Sequence, residues 1–242
     1  IGISFANLLK TIMDSVAKSW NAFIISSALK NTEQAKNDII EKFYYMAVCF
    51  MILGLGITYF SEEAIKILTT KEYHKAIWIT PIYIFYYLFA IVGYLTQMQL
   101  SIAEKMKFLI PGSIASGITN IILNVTLIPI YGMIGAAIAA AFTSLVSQLF
   151  LYYYGMKVFP LEVNNKKLLK LYLILCVFTF PAYFLYALEI NIFLKLLIKS
   201  FGIYLFILIC FKNNFINKNY IISILKDYKY LNKTSPIINF IF

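Results

Sequence analysis

Stretches of about twenty mostly apolar residues recur along the 242-residue chain with little between them, and no other feature limits its fold so sharply. A helix that crosses a membrane needs about 20 such residues, because the hydrocarbon core is about 30 Å thick and a helix rises about 1.5 Å per residue. Runs of this kind occupy 43–60, 76–100, 108–130, 132–156 and 168–188, and a weaker one occupies 193–211. The opening stretch, 1–29, has the length for a seventh. A water-soluble globule is excluded by composition: 61% of the residues are hydrophobic and 13% charged, against about 25% charge in an ordinary soluble domain. The expected fold is therefore all-α, a polytopic membrane bundle of about seven transmembrane helices over 1–211, followed by a basic tail at 212–242.

The joins are short and chemically distinct. Segments 31–42 and 157–167 are charged and predict loops, and Pro129-Ile130-Tyr131-Gly132 predicts a tight turn between two spans. The segment SEEAIKILTTKEYHK, 61–75, opens with Ser61 as a helix cap and two acids in the first turn, which predicts a short helix lying in the interface. Aromatic side chains such as Tyr44, Tyr45 and Trp78 cluster near the expected span ends, where amphipathic rings prefer to sit. Lys195 and Lys199 are expected to snorkel from the start of their run to the interface.

Counting lysines in alternate joins sets an expected orientation. Fourteen fall in the joins after residue 30, at 101–107 and at 157–170 and in the tail, against Lys66, Lys71 and Lys75 on the other side, or five with Lys195 and Lys199. The positive-inside rule places the richer side, and with it the C-terminus, in the cytoplasm. All 21 basic residues are lysine and the net charge is +10, but these lysines are spread between apolar segments and form no patch with stacking aromatics, so nucleic acid is not expected as a partner. The chain opens directly into a helical pattern without an initiator methionine or a signal-type segment, which is expected of the C-terminal part of a longer protein.

Catalytic and metal chemistry find little support. Cys49, Cys176 and Cys210 each sit within an apolar run, with no CxxC spacing and no neighbouring histidine, and His74 is the sole histidine. No cofactor is implied, and His74 is expected to be an interfacial loop residue.

The charges of the first segment are the unusual feature. Lys10, Asp14 and Lys18 follow one another at intervals of four, which places them on one helical stripe, widened by Asn7, Thr11 and Asn21. With Ile1 near one face, Asp14 lies about 20 Å in, close to the middle of the hydrocarbon core. Ile12, Val16, Ala17 and Phe23 form the expected apolar face. An ionised group at that depth costs several kcal/mol unless it faces protein or a water-filled cavity. Three arrangements accommodate the stripe: a self-satisfied Lys-Asp-Lys ladder, a helix lying flat on the membrane, or the polar wall of a central cavity. In the last, two lysines about one aspartate leave positive charge suited to an anionic group such as phosphate. Asn120 and Asn124, with Ser113 and Ser116 before them, and Gln97 and Gln99 supply further polar groups at membrane depth, for ligand contact or for interhelical hydrogen bonds. Gly132, Ala136 and Ala140 form a small-residue ridge that predicts close helix packing.

The segment NIILNVTLIPIYGMIGAAIAAAFTSLVSQ, 120–148, resembles the C-terminal half of polysaccharide (O-antigen) flippases of the multidrug/oligosaccharidyl-lipid/polysaccharide exporter superfamily. The shared features are Asn-x-x-x-Asn, Leu-Ile-Pro, Tyr-Gly and Gly-Ala-Ala, in that order. IGISFANLLK, 1–10, is similar to the family's Gly-x-Tyr-Ser-x-Ala-x-x-Leu helix start, with Ser4-Phe5 in place of the tyrosine, and 61–76 is similar to its outer amphipathic segment, with Thr69, Thr70 and Lys71 where relatives often carry glycine before a Glu-Tyr pair. The resemblance covers roughly 1–160. It implies the C-terminal part of a two-lobe transporter of 12 to 14 helices, the N-terminal lobe of the same protein as a partner, and export of undecaprenyl-pyrophosphate-linked oligosaccharide, a lipid-linked substrate, across the cytoplasmic membrane. Lys10, Asp14, Lys18, Asn7, Asn21, Asn120 and Asn124 are then the candidate substrate-binding residues, and loss of export in Lys18→Ala is the expected consequence. A multidrug or other small-molecule exporter of the same superfamily is the nearest alternative. A membrane glycosyltransferase or polymerase is the second; the chain has only Asp14, Asp38 and Asp227 as aspartates, no DxD and no P-loop pattern, so an enzyme is not expected.

Overall fold

A computed structural model describes residues 1–28, 32–188 and 190–216, apart from the side chains at 22, 23 and 26–28. From residue 217 the expected basic tail lies outside the described residues, as do Lys30, Asn31 and the side chain of Phe23. The described residues form α1 (Gly2–Ala28), α2 (Glu33–Leu68), α3 (Thr80–Ile102), α4 (Leu109–Val158), α5 (Asn165–Ala187) and α6 (Ile192–Lys212), with short 3-10 helices at Lys71–Trp78 and Met106–Phe108 and no strand among them. Five helices, α2 to α6, are long and apolar enough to cross a membrane. Large apolar side chains such as Ile114, Ile118, Val125, Phe180, Phe184 and Phe201 are exposed on the outside. Such a surface would drive association in water and is at home against lipid tails.

The helices alternate in direction, as pairs of contacting residues reveal. Across α1 and α3 the pairs Asn7–Tyr87 and Asp14–Tyr94 keep a constant difference, so the helices run parallel. Tyr44 meets Asn164 and Tyr59 meets Phe178, so α2 and α5 are also parallel. Glu62 meets Lys195 and Tyr59 meets Gly202, so α2 and α6 are antiparallel. The ends near residues 33, 105, 160 and 212 consequently gather at one end of the bundle, and those near 68, 132 and 192 at the other.

Helix α4 is a hairpin. Phe108 stacks on Tyr154, Gly112 lies beside Leu151, Asn120 bonds Thr143 and Gly135 lies against Leu127, so the contacting residue numbers keep a nearly constant sum. Two antiparallel arms, 109–131 and 133–158, join at Gly132, whose φ of 55° and ψ of −128° suit glycine alone. The turn expected at 129–132 is therefore present. Close approach of the arms depends on Gly135, where a Cβ would collide with the Leu127 carbonyl oxygen. The expected Gly132-Ala136-Ala140 ridge is not the buried one: Gly135, Ala137, Ala139 and Ala141 are buried and Ala136 and Ala140 half-buried. The second arm packs on two sides, against the first arm and against α3, where Ser144 Oγ donates to the Tyr86 carbonyl at 2.8 Å and Gln99 Nε2 to the Phe159 carbonyl at 2.7 Å.

Helix α2 corrects two expectations. Segment 31–42 is helical from Glu33: Thr32 caps it, its Oγ1 accepting from the Ala35 amide at 3.2 Å, and Ala35, Ile39 and Phe43 bury one stripe. At the far end the helix does not restart at Ser61. That hydroxyl donates to the Thr58 carbonyl at 2.9 Å inside a continuous helix, because neither Gly nor Pro interrupts 57–68. The helix ends where Thr69 turns extended, and 71–78 follows as a 3-10 helix. Pro81 then sits in the first turn of α3, where a missing amide hydrogen costs nothing.

Candidate functional site

Helix α1 buries Ala6, Leu9, Met13, Ala17, Trp20 and Ile24 against its neighbours, a stripe at intervals of three and four. Of the expected apolar face, Ile12 and Val16 are exposed, where lipid can cover them, and Ala17 is buried. The polar stripe flanks that seam and divides along its length. Asp14, half-buried, accepts a hydrogen bond from the Tyr94 hydroxyl at 2.7 Å. Two turns earlier the Tyr87 hydroxyl donates to Asn7 Oδ1. Lys10 and Asp14 open on a cavity of about 230 Å³ between α1, α3 and the second arm of α4, with Ser116 of the first arm at its edge. Tyr86, Tyr87, Tyr94, Thr143, Ser147 and Gln148 complete most of its wall. Buried Gln148 Oε1 has no hydrogen-bond partner there.

The ladder arrangement is not what the chain adopts: among the described residues neither Lys10 nor Lys18 forms an ion pair with Asp14. Lys18 and Asn21 are exposed further along α1 and do not line the cavity. Asn120 and Asn124 lie in the hairpin, where Asn124 Nδ2 donates to Asn120 Oδ1 at 2.9 Å and Asn120 Nδ2 reaches Thr143 Oγ1 at 3.4 Å. They support the wall through Thr143 and do not themselves face the cavity. Of the expected site, then, Lys10 and Asp14 are brought together, Asn7 and Asn120 stand behind the wall, and Lys18, Asn21 and Asn124 are elsewhere. Gln97 is exposed and Gln99 is buried in the α3–α4 seam. The three cysteines are free, and no group of metal-ligating side chains occurs among the described residues.

A second cluster of charges was not expected. Glu62, 2% exposed, accepts from Lys66 and Lys195 at 2.7 Å on one oxygen and from Lys199 at 3.1 Å on the other. Lys199 also bonds Glu63 at 2.6 Å. Lys195 and Lys199 do not snorkel; they are 6% and 0% exposed, because the carboxylates of α2 lie directly opposite them. Their spacing of four within an apolar run is the same signal that singled out α1, and it would have found them.

No protein-family model, no curated protein and no solved structure matches the chain.

Proposed function

We propose that this chain is part of an exporter for a lipid-linked, anionic oligosaccharide, with the α1/α3/α4 cavity as a wall of the translocation path. The observation that carries this reading is Lys10 beside Asp14 in a polar cavity inside a bundle whose outside is apolar. An ammonium held at membrane depth without a carboxylate partner attracts a phosphate or pyrophosphate group. Asp14, fixed by Tyr94, limits the positive charge or couples an ion. The hydroxyl and amide groups of Ser147, Thr143 and Gln148 suit sugar hydroxyls.

Helices α2 to α6, with the two arms of α4 counted apart and α1 as a further pass, would make about seven passes in this reading, one lobe and extra helices of a larger two-lobe transporter in the cytoplasmic membrane. The lysine-rich end faces the cytoplasm in this reading. A second lobe would close the open side of the cavity, and the two lobes rocking against one another would expose it alternately.

One observation favours the small-molecule exporter: Tyr86, Tyr87 and Tyr94 stand beside Asp14, a combination that also suits an organic cation. Deleting the full-length gene in its host separates the two. Lipid-linked oligosaccharide accumulating on the cytoplasmic leaflet, restored to normal by the intact gene and not by Lys10→Ala, is the expected result. Normal surface polysaccharide together with new sensitivity to cationic drugs would overturn the flippase reading.

A further inference from the structure

The far end of α2 carries a second cavity, about 250 Å³, lined by Glu62, Lys66, His74, Lys75, Trp78 and Tyr186 and separate from the α1 site. Its surroundings are rich in unused donors. Glu62 already accepts three hydrogen bonds, so it offers a ligand little. The ammonium of Lys66 spends one of its three N–H groups on Glu62 and is half exposed. Lys75 forms no ion pair among the described residues. His74 Nε2 is buried with no hydrogen-bond partner, an arrangement that folded proteins keep only with a reason. Behind this wall lie Lys195 and Lys199, buried and paired with Glu62 and Glu63. Within the junction Glu62 and Glu63 balance the buried Lys195 and Lys199 in charge, and Lys66 and Lys75 add two solvent-open ammonium groups at the cavity.

We propose that this cavity binds a small oxyanion, a phosphate or a carboxylate, held by Lys66, Lys75 and His74 with Trp78 at its side. The bound anion pairs with the ammonium groups of Lys66 and Lys75 and gives His74 Nε2 its acceptor. The site stands independently of the transport reading, since it requires only binding.

Trp20 and Trp78 are the two tryptophans of the chain, so Trp20→Phe makes Trp78 the sole reporter. In phosphatidylcholine nanodiscs this variant should show a saturable change in Trp78 emission on titration with inorganic phosphate, and none with sodium chloride at matched ionic strength. His74→Ala and Lys75→Ala should each weaken the response about tenfold, the worth of one charge-assisted hydrogen bond. Nanodiscs containing phosphatidylglycerol identify the source: emission already shifted, with phosphate competing, assigns the site to a lipid headgroup, and an unchanged titration assigns it to a free anion. Line broadening of the phosphorus resonance of inorganic phosphate by the unsubstituted chain provides the same test should Trp20→Phe not fold. Absence of a saturable response to phosphate and to phosphatidylglycerol, or an equal response in the His74→Ala/Lys75→Ala double variant, would overturn the proposal.

Discussion

Two places in this molecule set an acid among lysines at intervals of four, and they behave in opposite ways. On α1, Lys10 and Lys18 leave Asp14 to a tyrosine, and Lys10 faces a cavity. At the α2–α6 junction, Glu62 gathers Lys66, Lys195 and Lys199, and nothing of the carboxylate remains open. The difference lies in what stands opposite. Helix α3 turns tyrosines towards α1 and α4 turns hydroxyl groups towards the cavity between them, whereas α6 turns ammonium groups towards the carboxylates of α2. Similar residues at similar spacing thus become a binding wall in one place and a clamp in the other.

The sharpest way to break this comparison is to remove Glu62. Glu62→Ala leaves Lys195 and Lys199 buried without their main partner, and loss of one member of a buried ion cluster costs about 3–5 kcal/mol. The thermal midpoint of the chain in detergent should fall steeply, and replacing Glu62, Lys195 and Lys199 together with leucine or methionine should restore most of it. A midpoint within a degree of the unsubstituted chain would show that the junction is not a clamp.

Gly132→Ala follows in size. Nothing crowds the position, so the cost is backbone strain alone, about 1–3 kcal/mol, and it should appear as a lower midpoint with unchanged helix content. Thr32→Ala removes the cap of α2 and should cost about 1 kcal/mol, read in the same melts.

The smallest stability effect is expected at Lys10, exposed and without an ion-pair partner among the described residues. Lys10→Ala should move the midpoint by less than about 0.5 kcal/mol, as substitutions of exposed residues do, and under the proposed function it should abolish export in cells. Lys18→Ala, away from the cavity, should leave both stability and export nearly unchanged, contrary to what the sequence alone suggests. Loss of export in Lys18→Ala with full activity in Lys10→Ala would reverse the placement of the site.

Local signals made the helical architecture legible. The apolar runs, the Pro129-to-Gly132 turn and the polar stripe of α1 all depend on neighbours within a few residues, and each is present. The start of α2 was legible as well, through Thr32 before Glu33 and the buried spacing of Ala35, Ile39 and Phe43, but the density of charge at 31–42 masked it. What could not be read was pairing at a distance. Glu62 and Lys199 are separated by 137 positions, and only the alternation of helix directions brings them to one end of the bundle. The same limit applies within the site: a helical stripe holds Lys10 and Lys18 alike, and the position of α3 and α4 decides which of them meets the cavity.

The α4 hairpin has a consequence for biogenesis. Between Lys107 and Lys157 the sequence contains no charged residue at all, and the turn at Gly132 is as neutral as the arms. Its passage across the bilayer during insertion carries no ionic penalty, and nothing in the turn itself selects a side. By the positive-inside rule, topology would be set from the flanks, where Lys105 and Lys107 precede the hairpin and Lys157, Lys166 and Lys167 follow it at the same end of the bundle. The two arms can therefore enter the membrane together as one closed unit, anchored at both ends by lysines that stay behind.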